Sequence, residues 1–451
     1  VFDSAGTGAA LAQAEGVANE LPWQDPATAL LAFADDECVT LLQSGGAAGP
    51  RSRYSYLCID PRAVLRDATL DDLASALAAR RRIWPDAPVP FAGGAAGFFG
   101  YDAAALPESR LHPAAKLTGI ADMQFGIFDL LFAWDHAAHR FWLLDASGGD
   151  GQRAAAALQR LHRGKAAKPV PELQWRAPVS RAQHMARVER ALAYIYAGDI
   201  YQANITAPFI AQRPGGVRAV DIYHALQAAN PAPFSAFIAC GNGTAVASVS
   251  PERFLRLDAD GSIEARPIKG TRRRGATPAE DAAHAAELLG SCKDRAENLM
   301  IVDLLRNDIS RVAAPGSVRV PMLCGLESFA SVHHLVSAVE GRLRAGLQHV
   351  DLLRAALPGG SITGAPKIRA MQIITELEGT ARGPYCGSAA WIGFDGAMDS
   401  NILIRTVTVD QHRVVAQAGG GIVADSDPAA EWDELMVKAA PMLRALGDLP
   451  A

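Results

Sequence analysis

PFSAFIACGNGTAVASVSPERFLRLDADGSIEARPIKGT, residues 233–271, holds four strand-like runs in close succession, at 234–239, 244–249, 254–257 and 262–267. Short runs rich in Val, Ile, Phe and Thr read as strands. A further strand reads at 205–212 and a pair at 386–408, while helical patterns cover 180–197, 279–307, 350–356, 366–378 and 428–445. Strands interleaved with helices, without strict βαβ alternation, predict an α+β fold of antiparallel sheets flanked by helices. The same stretch carries chemistry. Glu252 in SPERF and Lys269 in PIKGT bring a carboxyl and an amine to what reads as neighbouring strands, the lysine inside a Pro/Gly-bounded turn. Such a pair can serve as general acid and nucleophile. Taken alone, a lysine flanked by glycine is ordinarily a solvated surface residue.

Outward from this stretch, residues 1–145 mix short apolar runs with turn clusters such as that at 44–50 and read as an N-terminal lobe. Residues 146–175 form a Gly/Asp-rich and then Lys/Pro-rich seam, and 176–448 carry the remaining motifs. Helix 180–197 is expected to end at Gly198, a C-terminal cap.

With 451 residues, 49% hydrophobic and 20% charged, the chain has the composition of a globular protein with a large core. A net charge of −5 argues against a nucleic-acid partner. The six cysteines form no C-x-x-C pair, which points away from a zinc site or disulfide framework and towards a reducing, cytoplasmic setting. No apolar run is long enough for a membrane span, and the N-terminus lacks a signal pattern. Val1 in place of Met is expected to reflect missing or processed residues.

Several constellations could hold a ligand. Asp425-Ser426-Asp427-Pro428 opens a helix on which Glu431, Glu434 and Lys438 form one polar stripe. Read alone it is an exposed stripe with an ion pair. Glu297, at the entrance of the apolar helix that follows it, adds a carboxylate from a second helix, and carboxylates of this kind are the usual equipment for Mg²⁺. The loop 358–366 leads into a helix whose start suits an anion, although a capped loop explains it equally well. Gly419 and Gly420 let backbone amides approach a ligand, or form a tight turn. Arg405, read inside an apolar strand and paired with Tyr385, needs a carboxylate from protein or ligand. His334 reads as a satisfied histidine or a substrate partner, and Gln202 suits orienting a hydroxyl better than deprotonating water.

In this order, GDIYQAN (198–204), SPERF (250–254), PIKGT (267–271), AENLMIVDLLRND (296–308), GGSITGAPK (359–367), the strand to Arg405 and AGGGIVADSDPAAEWDE (418–434) resemble the chorismate-utilising enzymes over almost the whole chain. LLQSGG (41–46) and SRYSYLCIDP (52–61) are similar to the first lobe of the family's amino-transferring large subunits. The resemblance implies two large antiparallel β-sheets packed as a sandwich with helices outside, and a cleft in the C-terminal part. Anthranilate synthases typically carry a small residue at the position of Lys269, whereas the subunits that aminate chorismate at C4 carry lysine. Isochorismate and salicylate synthases place a water-activating lysine at the position of Gln202, which this chain lacks.

The resemblance further implies that Lys269 adds to C2 of chorismate while Glu252, its pKa raised, protonates the departing C4 hydroxyl, and that ammonia then displaces the lysine. Mg²⁺ held through Glu297, Glu431 and Glu434 would bind the ring carboxylate, with Lys438 nearby. Tyr385, Arg405, Gly419 and Gly420 would take the enolpyruvyl carboxylate, and Thr271 and His334 would line the ring. No Gly-x-Cys-x-Gly element surrounds any cysteine, so ammonia is expected from glutamine through a separate amidotransferase subunit. A tryptophan pocket is implied near Ser44, Pro231 and Phe234. The readings set against C4 amination are anthranilate formation and a non-catalytic, tryptophan-sensing subunit.

Overall fold

Between Ser250 and Arg253 the chain leaves one sheet and enters another. The computed structural model describes residues 12–13, 16–45, 52–105, 114–329 and 332–450. Residues 46–50 of the turn cluster at 44–50, and with them Gly46 of LLQSGG, lie outside the described residues.

Among the described residues, one sheet has eleven strands and the other ten, and both are antiparallel. Phe234–Gly241 and Thr244–Ser250 form a hairpin at the middle of the first sheet. Arg253–Leu257 and Ser262–Ala265 form a hairpin in the second. The expected α+β sandwich is therefore present. Its inner faces meet through apolar clusters, one of which joins Ile238 and Val246 of the first sheet to Phe98 and Ala389 of the second. The outer face of the first sheet packs under helices that include Ala219–Ala229 and Pro428–Arg444, and that of the second under Cys292–Ser310 and His349–Ala356. The segment 1–145 supplies strands to both sheets, Tyr54–Cys58 to the first and Gly94–Phe99 to the second, so the seam at 146–175 does not separate one sheet from the other.

Local signals set several boundaries. Ser180 caps helix Arg181–Tyr196 through a reciprocal bond pattern with Gln183, and Gly198 takes φ +83° just beyond its end. Asp427 accepts the amides of Ala429 and Ala430, with Pro428 in the first turn of helix Pro428–Arg444. Four expectations need correction. The helix expected at 279–307 is two helices, Pro278–Gly290 and Cys292–Ser310, because Ser291 closes the first and caps the second. The segment 386–408 gives three strands: Ser388–Gly393 and Met398–Asn401 in the second sheet, Thr406–Val409 in the first. Arg405 lies in the crossover between them at φ +49°, not inside a strand. Lys269 lies on strand Ile268–Arg273 and not in a turn, and that strand is separated from Arg253–Leu257 by two others.

All six cysteines are free. No helix among the described residues is long and apolar enough to cross a membrane.

Candidate active site

Two crossovers run side by side between the sheets. The first is Pro251-Glu252, after Thr244–Ser250; the second is Ile402–Arg405. They are laced together: Ser250 Oγ donates to the Ile402 carbonyl at 2.6 Å, the Ile402 amide donates to Glu252 O at 3.1 Å, and the Val249 amide donates to Arg405 O at 3.0 Å. The lacing holds Glu252 and Arg405 on the wall of one cavity of about 650 Å³.

Lys269 reaches the same cavity from the edge strand of the second sheet. Ile268 pairs with Val336 and Thr271 with His334, so Lys269 and Gly270 together oppose Leu335. That extra residue is a β-bulge, made possible by Gly270 at φ +83°. A Cβ on Gly270 would lie 2.8 Å from Leu288 Cδ1 and 2.9 Å from Asp294 Cγ, so the bulge is seated against the two helices behind it. Thr271 Oγ1 and His334 Nδ1 share a hydrogen bond of 2.9 Å at the cavity wall.

Burial pushes the Glu252 carboxyl up to about 6, and the Lys269 amine, a bond from Ser361 and the Lys438 amine only partly oppose it. A carboxyl held this high can be protonated near neutrality and donate its proton. Arg405 has no carboxylate partner among the described residues, and burial lowers its pKa without a compensating anion. It is set up for a ligand carboxylate. Tyr385 is buried and lines the same cavity, its phenol held well above the usual range by burial.

Across the cavity stand Glu297, Glu431, Glu434 and Lys438. Burial raises Glu297 and Glu431, and the charge of Glu434 adds to both shifts. Burial raises Glu434 as well, but Lys438, at 2.7 Å, together with Lys293 and Lys269 brings its net shift downward. Glu431 accepts from Ser426 Oγ at 2.6 Å. The three carboxylates share a cavity and repel one another, and an all-oxygen donor set of this kind suits Mg²⁺ completed by water or ligand oxygens. Among the described residues no three His, Cys, Asp or Glu side chains form a ready metal cage.

On strand Arg413–Ile422 the backbone of the neighbouring strand leaves no room for a side chain at Gly419, whereas at Gly420 only the carboxylate end of Glu431 is crowded. A Cβ on Gly419 would fall 2.3 Å from the Ile205 carbonyl, and one on Gly420 would fall 3.0 Å from Glu431 Oε2. Gly419 lines the cavity, and Lys438 Nζ donates to its carbonyl at 3.1 Å.

Gln202 is not on the wall. It is 1% exposed, neither amide atom has a partner among the described residues, and Gly421 is the residue that makes room for it. Asn204, two residues along the same strand, lines the cavity instead. The loop 358–366 contributes Ser361 and Ile362 to the wall, whereas Lys367 turns away to bond Asp308 at 2.7 Å. Sequence reading thus missed Ser361, Asn204, Lys293 and Asp294 as wall residues. Ser361 stood within a quoted motif, but nothing in the sequence aimed its hydroxyl at Glu252.

A second cavity of about 350 Å³ lies between the sheets, lined by Ser44, Phe234, Arg253, Trp391 and Asp399 among others. Pro231 does not line it; Pro233 does.

Fold and cleft together define an enzyme of chorismate: the chain belongs to the chorismate binding enzyme family, whose sequence model matches residues 38–444. It is 43% identical over 447 residues to aminodeoxychorismate synthase component 1 of Klebsiella aerogenes, covering 94% of this chain and 98% of that one. Anthranilate synthase component 1 of Streptomyces coelicolor is 39% identical over 449 residues, covering 94% and 87%. The crystal structure of anthranilate synthase component I from Streptococcus pneumoniae superposes with a TM-score of 0.78 at 31% identity, covering 88% of this chain and 94% of that one.

Proposed function

We propose that this chain is the chorismate-aminating component of an aminodeoxychorismate synthase, replacing the C4 hydroxyl of chorismate by an amino group and so supplying 4-aminobenzoate and folate synthesis in the cytoplasm. The observation that carries this reading is Lys269 on the wall that also bears Glu252, whose carboxyl is held near 6. A primary amine and a protonated acid facing one cavity suit displacement of a hydroxyl, a poor leaving group without a proton donor.

In this mechanism the free Lys269 amine forms a bond to C2, the ring double bonds shift, and the C4–O bond breaks as Glu252 donates its proton, releasing water. Ammonia then bonds to C4, the double bonds shift back, and the C2–N bond to Lys269 breaks. The ammonium at C4 returns one proton to Glu252. Chorismate and ammonia are consumed, the amino product and water are formed, and both residues are restored. Arg405 and Tyr385 orient the enolpyruvyl carboxylate with the backbone at Gly419 and Gly420, while Thr271 and His334 border the ring. Mg²⁺, held by Glu297, Glu431 and Glu434, would neutralise the ring carboxylate. Ammonia comes from glutamine through a separate amidotransferase subunit, and the second cavity takes tryptophan.

Incubation of the purified chain with chorismate, Mg²⁺ and ammonium should yield 4-amino-4-deoxychorismate. Anthranilate as the sole product would overturn the reading. Lys269→Ala should abolish any covalent chorismate adduct on the protein detectable by mass spectrometry and lower turnover by about 10² or more. Unchanged product formation would remove the covalent step.

A further inference from the structure

One buried ion pair stands behind the cavity wall. Glu378, the last residue of helix Lys367–Glu378, and Arg382 are 6% and 2% exposed. Their contact is two-pronged: Arg382 Nε donates to Glu378 Oε2 at 3.0 Å and Nη2 to Oε1 at 2.7 Å. The guanidinium then reaches two backbone carbonyls, donating from Nη1 to Ile362 at 2.8 Å and from Nη2 to Asn204 at 2.5 Å. Glu378 Oε1 also accepts the Thr206 amide at 2.8 Å, and the Arg382 carbonyl accepts Gln417 Nε2 at 2.9 Å. Neither member of the pair lines the cavity, yet Asn204, Ile362, Gln417 and, three residues on, Tyr385 all do.

We propose that Arg382 is a positioning residue for the reaction: held by Glu378, it reinforces the backbone bonds from Asn204 N to Thr363 O and from Tyr201 N to Ala365 O, and so keeps strand Gln202–Gln212 and the Ser361–Ile362 loop in register on the wall that bears Glu252. This rests on the chorismate reading of the cleft. A buried ion pair by itself is weak evidence of stability, because apolar residues of similar volume often replace it without loss. Here the geometry goes further than charge neutralisation. A planar fork satisfies acceptors on three separate elements at once, which a lysine, a point charge on a flexible stem, cannot reproduce. Its bonds to the Asn204 and Ile362 carbonyls and from Gln417 reach three wall residues while the pair itself stays off the cavity, so the pair acts on the shape of the site and not on the substrate.

Two variants separate positioning from folding. The double variant Glu378→Leu/Arg382→Met removes both charges together and avoids stranding either one. Arg382→Lys keeps the charge and loses the fork. Per folded molecule, the double variant should lose about 10²-fold in kcat while KM for chorismate changes far less, as expected when a distant change displaces a reacting group by about an ångström. Arg382→Lys should recover part of that loss. A double variant within about threefold of the wild-type kcat, or a loss that merely tracks the unfolded fraction, overturns the proposal. Amide hydrogen exchange of Arg382→Lys reads the same tie without turnover. Faster exchange confined to residues 202–206 and 360–363 supports it, and unchanged exchange there overturns it. If the wild-type chain fails to consume chorismate, the functional reading falls and the exchange result still decides the tie.

Discussion

Glu252 is asked to be an acid where an ionised carboxylate is poorly tolerated, and that conflict has a measurable sign. Its folded-state pKa, about 6, lies above its ordinary value of 4.5, chiefly through burial. A carboxyl raised in this way contributes fully to stability below pH 4.5, where folded and unfolded states are both protonated, and the contribution is lost as pH rises through 6. Glu252→Gln should therefore melt above the wild type at pH 7.5, by a margin that shrinks on titration to pH 4.5, about the ordinary glutamate value. The same variant should lose about 10²- to 10⁴-fold in kcat, the usual worth of a general acid. In the wild type, kcat/KM should fall as pH rises past about 6, and this alkaline limb should be absent from the residual activity of Glu252→Gln. A variant that is both less stable at pH 7.5 and fully active would refute the assignment. Arg405 shows the limit of reading single residues. Its type announced a carboxylate, but no pattern announced a non-glycine residue at φ +49° in a crossover.

At the scale of elements, the motifs that chemistry dictates were legible and the routing between sheets was not. Glu252, Lys269, the Gly419–Gly420 pair and the carboxylate helix each had a bland reading alone and became legible through their order along the chain. The sheet to which each strand belongs left no such mark. Strand Gln202–Gln212 is buried for nearly its whole length, so alternation is lost and the run reads alike for either sheet. The passage from Ser250 to Arg253 takes only two residues, and Pro251 marks a break between strands without marking a change of sheet. The break at Ser291 did have one, since its side chain accepts the Asp294 amide as a helix cap does. The Lys269 turn was misread because Pro and Gly mark bulges as well as turns. That distinction has a test. Gly270→Ala places a Cβ at φ +83° against Leu288 and Asp294, which should cost about 1–3 kcal/mol in denaturant unfolding. It should also misdirect the lysine, so kcat per folded molecule should fall. If Lys269 sat in a free turn, the alanine would cost only the strain of its positive φ and would leave kcat per folded molecule unchanged.

The whole molecule is one sandwich built from both halves of the chain, so the cleft and the second cavity are not in separable units. Arg253, next to the acid Glu252, lines the second cavity and bonds Asp399 twice at 3.0 Å, while Glu252 faces the cleft. Ser44 and Phe234 bring the first sheet to that cavity, and Trp391 and Asp399 bring the second. A ligand there touches both sheets and must stabilise the assembled sandwich over any opened form. On the proposed reading, the indole of tryptophan would pack beside Phe234 and Trp391, and its zwitterionic head would meet Arg253, Arg256, Asp258 or Asp399. Binding to the folded state alone stabilises it by about 2.7 kcal/mol at a ligand concentration of one hundred times Kd. Calorimetric melting with increasing tryptophan should thus show a concentration-dependent rise, abolished by filling the cavity with Ser44→Phe. The same titration against chorismate turnover separates two roles. A rise in melting temperature with unchanged kcat makes tryptophan a structural ligand, and a fall in kcat along the same binding curve makes it a regulator acting across the Glu252–Arg253 crossover. A melting temperature indifferent to tryptophan would mean that the cavity takes no tryptophan at all.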